Sequence, residues 1–406
     1  MHVLKRNPWL TGLGALLTVL VVYGGHARAD DTTDQPGSII IFPKVVVDAS
    51  RDTFIQITNT SNMAVAARCN YISSGTCSLT TTQHCNADSE CPLNETCELP
   101  CNEQGFDIAL TAQQPTVWSV ADGRTTGDLP GFFPATVPPQ PVGFIGELKC
   151  VQIDSSDAPV TSNSLKGEAG IVNGVTGDES VYNAITILGL RQVSPPSCPP
   201  NLPPELCPPS NVWELPLDMT PSVAGHYNAC PNTLVFNHFV EGATDSFTGA
   251  TVNTELTLVP CTEDLEDQLP THGRALFTMT NEFEQSLTGS VNFNCMINTS
   301  LINMSSNFGA LGTVFAKTRI AVPSGKICAS GPNRNQTCTL DTDCCGADLT
   351  QCLTTSGGTL LGCRPFTGLL GVAEEFQTST SGTTSEAYNL HTEGSRPGDL
   401  IIVPIP

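Results

Sequence analysis

Positive charge is scarce in this chain. Over 406 residues, 17 Lys and Arg stand against 39 Asp and Glu, a net charge of −22. A surface of that sign repels nucleic acid and anionic lipid and keeps an exported chain in solution. Aromatic residues are also few, 6% with three Trp, which offers little for a broad aromatic sugar platform. No Gly-x-Ser-x-Gly elbow, His-Glu-x-x-His pair, phosphate loop or Gly-x-Gly-x-x-Gly occurs, which argues against the common hydrolases and nucleotide enzymes. Beyond the N-terminus no stretch is long and apolar enough to span a bilayer. None shows the 3.6-residue period of an amphipathic helix, and Gly and Pro (35 and 31) recur throughout, opposing long helices.

What is present begins with an export signal. Lys5 and Arg6 open it, Leu10 to Tyr23 forms an apolar run, and Ala27-Arg28-Ala29 supplies small residues for cleavage, so residues 1–29 read as a signal peptide. The apolar run falls short of the ~20 residues of a bilayer span. All 18 cysteines follow it, an even number, which implies disulfides and an oxidising compartment: periplasm, cell surface or medium. They fall into three sixes: Cys69, Cys77, Cys85, Cys91, Cys97 and Cys101; Cys150, Cys198, Cys207, Cys230, Cys261 and Cys295; Cys328, Cys338, Cys344, Cys345, Cys352 and Cys363. If pairing stays within each group, the connectivity inside it remains open.

Strand signals dominate the rest. Ser38 to Val47 is a β-branched run interrupted by Pro43, and Ile55 and Ile57 alternate with Gln56 and Thr58, the period of a half-buried strand. The segment Thr53–Asn59 is echoed by Ala275–Asn281. After each Asn a second alternation carries one cysteine, through Val65, Ala67, Cys69 and Tyr71 in one case and Val291, Phe293, Cys295 and Ile297 in the other. Ile39–Pro43 and Leu256–Pro260 extend the echo. An ordered series of matches predicts an internal duplication. The expected fold is therefore all-β, two related sandwich-type (Ig-like) domains. Domain 1 spans 30–247, with a cysteine-rich insert at 77–101 and a Pro-rich loop at 194–210; domain 2 spans 248–406, with an insert at 328–363. Segments as short and polar as these inserts bury no core of their own, so disulfides must hold them.

Candidate chemistry is sparse. Among the histidines beyond the signal (His84, His226, His238, His272 and His391), His238 lies near Glu241 and His391 near Glu393. On a strand His391 and Glu393 share a face, a pairing suited to a metal or to acid–base work. The plainer reading of both pairs is polar residues at a surface or core edge. No cofactor is implied, and Ca²⁺ enters only through the acidic pairs Asp88/Glu90 and Asp341/Asp343, whose plainer role is capping turns. The cluster Glu263-Asp264-Leu265-Glu266-Asp267 reads as a solvated loop. Trp118, in an apolar strand, reads as core, and Trp213 as the better candidate for an exposed contact.

The opening Arg51-Asp52-Thr53-x-Ile55-Gln56-Ile57-Thr58-Asn59, together with Tyr227-Asn228-Ala229-Cys230-Pro231 and Val372-Ala373-Glu374-Glu375-Phe376, resembles a group of uncharacterised secreted proteins of environmental bacteria, from which no activity carries over. The inserts share the run Cys-x-x-Asp-x-acidic-Cys, at Cys85–Cys91 and Cys338–Cys344, and resemble small cysteine-rich modules of extracellular proteins. That resemblance implies a disulfide scaffold and nothing catalytic. The reading is of an exported, non-catalytic surface or extracellular protein that binds a partner protein or glycan through loops and inserts. An exported hydrolase using a His/carboxylate site and a purely structural envelope component are the alternatives.

Overall fold

The computed structural model describes residues 31–80, 85, 91–98, 102–125, 136–190, 212–217, 227–266, 271–334, 336–352 and 362–404. The export segment, the Pro-rich stretch 194–210 with Cys198 and Cys207, Cys101, His84, His226, Asp88 and Glu90 lie outside these residues, as does the side chain of Cys97.

The described chain is all-β apart from two α-helices of four and five residues, Leu301–Met304 and Asp341–Cys345, and short 3-10 turns. Its strands form an array of small sheets. A six-stranded sheet orders Asp31–Thr32, Ile185–Ile187, Ile39–Val47, Phe144–Ile153, Val65–Ser73 and Glu103–Leu110. A four-stranded sheet orders Glu179–Asn183, Leu165–Asn173, Arg51–Asn59 and Pro115–Ser119. In the C-terminal part, a five-stranded sheet orders Ser286–Asn294, His272–Asn281, Phe315–Ala321, Thr233–Phe239 and His391–Glu393. A second four-stranded sheet orders Ile297–Ser300, Thr251–Pro260, Leu369–Ser379 and Gly382–Asn389. A three-stranded sheet of Val212–Leu217, Asp399–Pro404 and Glu263–Asp264 lies among them, and the last of these pairs is parallel.

This arrangement overturns the expectation of two Ig-like sandwich domains from a duplication. The local echo is present. Asn59 and Asn281 each end a strand and tie the following turn, Asn59 donating to Met63 O and Asn281 accepting from the Phe283 and Gln285 amides, and each also donates to a remote carbonyl, Thr111 O and Leu311 O. Beyond the turn the two paths diverge. The Val65–Ser73 strand leaves for the six-stranded sheet, whereas Ser286–Asn294 folds straight back on His272–Asn281 as a hairpin. Side-chain period specifies which face a strand buries, not which neighbour it takes, so equal patterns have entered unlike sheets.

The cores are shared as well. Val372 and Ala387 from the C-terminal part join the core built on Ile55, Ile57, Tyr71 and Trp118. A second core mixes Ile39, Ile41 and Val151 with Trp213, Leu215, Val259, Ile401 and Val403. Residues 212–217 and 233–239, placed before the expected 247/248 boundary, pair with strands from after it. The double cover explains the sequence of Ile39–Val47, which is buried at all nine positions. A strand covered on both faces reads as a continuous apolar run. Pro43 is accommodated where the ladder to Phe144–Ile153 slips between Phe42 and Val45.

Six disulfides are closed among the described residues: Cys69–Cys150, Cys77–Cys91, Cys230–Cys261, Cys328–Cys344, Cys338–Cys363 and Cys345–Cys352. The last three knit the second insert from within its own six cysteines. Cys69–Cys150 joins the first group to the second, because the two residues stand opposite each other on neighbouring strands. Sequence distance, which set the grouping, does not register that the intervening chain returns to the same sheet.

Candidate binding face

Two buried lysines hold the N- and C-terminal parts together. Lys44 places its Nζ 2.9 Å from Glu255 and 2.6 Å from Glu374. Lys149 sits 2.6 Å from Glu263 and 3.1 Å from Glu147, and donates to Pro260 O at 3.0 Å. Both lysine side chains are fully buried, as are those of Glu147 and Glu263. Burial pulls each ammonium down, but the flanking carboxylates outweigh it and hold both above the usual lysine value. Around Lys149 there are more acids than one cation can neutralise. Burial and the neighbouring Glu263 push Glu147 up to about 8, and burial with Glu263 and Asp264 pushes Glu103 up to about 9. The cluster at Glu263 and Asp264 is thus a buried strand against Ile401–Ile402, not the solvated loop its composition suggested. An isolated acidic run looks solvated until a buried lysine from a distant strand reaches it.

The histidine pairs do not assemble. His238 is 2% exposed and packs between Phe236 and Phe308. Its Nδ1 faces the Phe239 carbonyl at 2.8 Å, which only accepts, so Nδ1 carries the hydrogen and Nε2 accepts from Thr318 Oγ1 at 2.8 Å. Both nitrogens are used, and burial pushes the imidazole down to about 4. Glu241 accepts instead from the Thr254 amide. His391 is exposed, and Glu393 pairs with Arg319. Asp343 accepts from the amides of Thr339 and Leu340 and so caps a turn of the insert, whereas Asp341 accepts from the Cys363 amide at 2.7 Å and ties the far end of the insert back. Trp118 is core, donating to Tyr71 Oη at 2.7 Å. Trp213 is 6% exposed, enclosed between sheets, which removes it as an exposed contact.

The open surface lies elsewhere, on the outer face of the five-stranded sheet. Along His272–Asn281, Gly273, Ala275, Phe277 and Met279 turn into the core, which sends His272, Arg274, Leu276, Thr278 and Thr280 outward. Register aligns these with their neighbours into rungs: Ser286–Thr280–Lys317–Asn237, then Thr288–Thr278–Arg319. Next come Ser290–Leu276 and Asn292–Arg274. A groove of ≈ 680 Å³ runs over the first rungs, its lining including Thr278, Thr280, Phe315, Lys317 and Arg319 and, at the turn, Glu282. Phe315 is 46% exposed and stacks on Phe239 with ring centroids 4.3 Å apart.

At the other end of the strand stands the second insert. A groove of ≈ 280 Å³ is lined by Arg274 and Asn292 from the sheet, by Ile327 on the strand leading into the insert and by Thr337 within it. Beyond His272 a cleft of ≈ 90 Å³ opens between insert and body, lined by Glu263, Asp264, His272, Ile327, Pro365 and Leu400. Burial and the Arg334 guanidinium push His272 down to about 4, so its imidazole is neutral at physiological pH. The face therefore runs about 30 Å, the length of a ten-residue strand, from an aromatic pair at one end to a small half-closed cleft at the other. It offers hydroxyls, amides and cations to a ligand lying across it.

No family model matches the chain, and the search of curated proteins returned no match. Sequence reasoning passed over this face because Thr278 and Thr280 read only as the outward half of a strand. A signal was there. Residues 271–334 hold Arg274, Lys317, Arg319, Lys326 and Arg334 against Glu282 and Glu284 alone, with no aspartate, inside a chain of net charge −22.

Proposed function

We propose that this is an exported, disulfide-stabilised, non-catalytic binding protein whose ligand lies along the outer face of the five-stranded sheet, bounded by the cysteine-rich insert. The observation that carries the reading is the ruled polar face of Thr278, Thr280, Asn237, Lys317 and Arg319, open as a groove on the same strand whose Arg274 and His272 line the grooves beside the insert. A flat array of hydroxyls and amides on a rigid sheet orients a ligand without supplying a nucleophile or an acid–base pair. Support for export comes from the basic start, the apolar run and the small-residue site before Asp30, and from disulfides that persist only in oxidising surroundings.

The test is location. Amide hydrogen exchange on the purified protein, with and without each ligand that binds from a panel of glycans and peptides, is expected to show added protection at residues 272–280, 286–292 and 315–321. Protection confined to the sheet formed by Arg51–Asn59 and its neighbours, or turnover of a panel member, would end this reading.

A further inference from the structure

Resting on that reading, we infer that the ligand is an acidic polysaccharide, a hydroxyl-rich polymer bearing carboxylate or sulfate groups. Charge complementarity carries the choice. In so acidic a protein, the face collects Arg274, Lys317 and Arg319 from adjacent strands, with Lys326 on the strand leading into the insert and Arg334 within it nearby. Lys317 is exposed and makes no ion pair among the described residues. The Nε of Arg274 is buried with no acceptor, beside the groove it lines with Asn292. A buried guanidinium nitrogen without an acceptor is costly unless a ligand supplies one. Arg319 is paired with Glu393 and Glu282 also lines the first groove, so the cations the face leaves for a ligand are Lys317 and Arg274.

The uncharged part of the face selects the polymer type. Thr278, Thr280, Ser286, Thr288, Ser290, Asn292 and Asn237 present side-chain donors and acceptors along the whole strand, matching a chain whose every unit carries hydroxyls. A single-stranded nucleic acid needs successive aromatic platforms, and this face offers one aromatic pair at one end, Phe315 with Phe239. The negative charge on the rest of the molecule adds orientation, since a polyanion is repelled from the other surfaces and steered to this one.

The test uses the full exported chain with polygalacturonate, dextran sulfate, neutral dextran and oligo(dT), measured by titration calorimetry at low and physiological salt. Binding to one or both acidic polysaccharides, weakened by salt and absent for neutral dextran, is expected. Lys317→Glu is expected to weaken it by at least about tenfold, the effect of turning one close attraction into repulsion, and Lys317→Gln by less. Lys166→Glu, on a different sheet, is expected to leave binding unchanged, and circular dichroism verifies that each variant is folded. Equal binding of neutral dextran, tighter binding of oligo(dT), no binding of either acidic polymer, or indifference to Lys317→Glu in a folded variant would each overturn the inference. Neutral dextran that protects residues 272–280 would end the acidic assignment while leaving the binding face itself intact.

Discussion

Replacing Lys149 by Met removes the one cation that the described residues place among a buried set of acids, and keeps the volume of the side chain. In the native protein its ammonium lies 2.6 Å from Glu263 and 3.1 Å from Glu147, all three side chains at 0% exposure. Removing one partner of such a group leaves an uncompensated buried charge, and the expected loss is ~3–5 kcal/mol. The loss should depend on pH. Without Lys149 the two carboxyls rise further above their unfolded values, so the folded state retains protons that the unfolded state releases. Stability then falls as pH rises above the unfolded carboxylate value. Since native Glu147 already sits at about 8, the penalty relative to the native protein opens as pH rises past that value and is larger at pH 9 than at pH 6. Urea denaturation at both pH values measures it, and the double variant Lys149→Met/Glu263→Met closes the cycle. Because Lys149 comes from the Phe144–Ile153 strand and Glu263 from the C-terminal part, the double variant is expected to be less destabilised than the sum of the singles by more than about 1 kcal/mol. Additive losses, or a penalty independent of pH, would refute the argument that this ion cluster joins the two parts.

Other outcomes follow from the same physics. His238 is pushed down to about 4 by burial, so its contribution is fully present above the unfolded value near 6.5 and is lost as pH falls towards 4, about 3 kcal/mol in all. Comparing the denaturation of His238→Gln with the native protein from pH 4 to pH 7 checks this, and parallel pH curves would contradict it. Opening Cys69–Cys150 by Cys69→Ala/Cys150→Ala frees a link across 81 residues, and a loss of ~2–5 kcal/mol in urea is expected. Tyr71→Phe leaves the Trp118 indole N–H, now 2.7 Å from the hydroxyl, without its acceptor in a closed core. A loss of ~1–3 kcal/mol is expected, with altered near-ultraviolet dichroism as a second readout.

The alternating runs at Thr53–Asn59 and Ala275–Asn281 were legible as strands, with the correct residues inward, because a strand's period is local and the apolar positions must face a core. The all-β character was determined at the same level, as was the apolar alternation that carries Cys69 and Cys295 into the core. So was the self-contained knitting of the second insert, whose short polar segments leave its cysteines few other partners. Pairing was decided only by the tertiary structure. Two strands with one pattern took different neighbours, which dissolved the duplicated-domain expectation and sent Cys69 to Cys150. The buried lysines belong to that level too. Lys44 and Lys149 are buried against Glu374 and Glu263 from remote strands, since a buried ion is tolerable only where the fold brings its counter-charge. The binding face stands between the two levels. The inverted charge of residues 271–334 is written in the sequence, but only strand register sets Thr278 beside Arg319 and Thr280 beside Lys317, turning scattered polar residues into one surface.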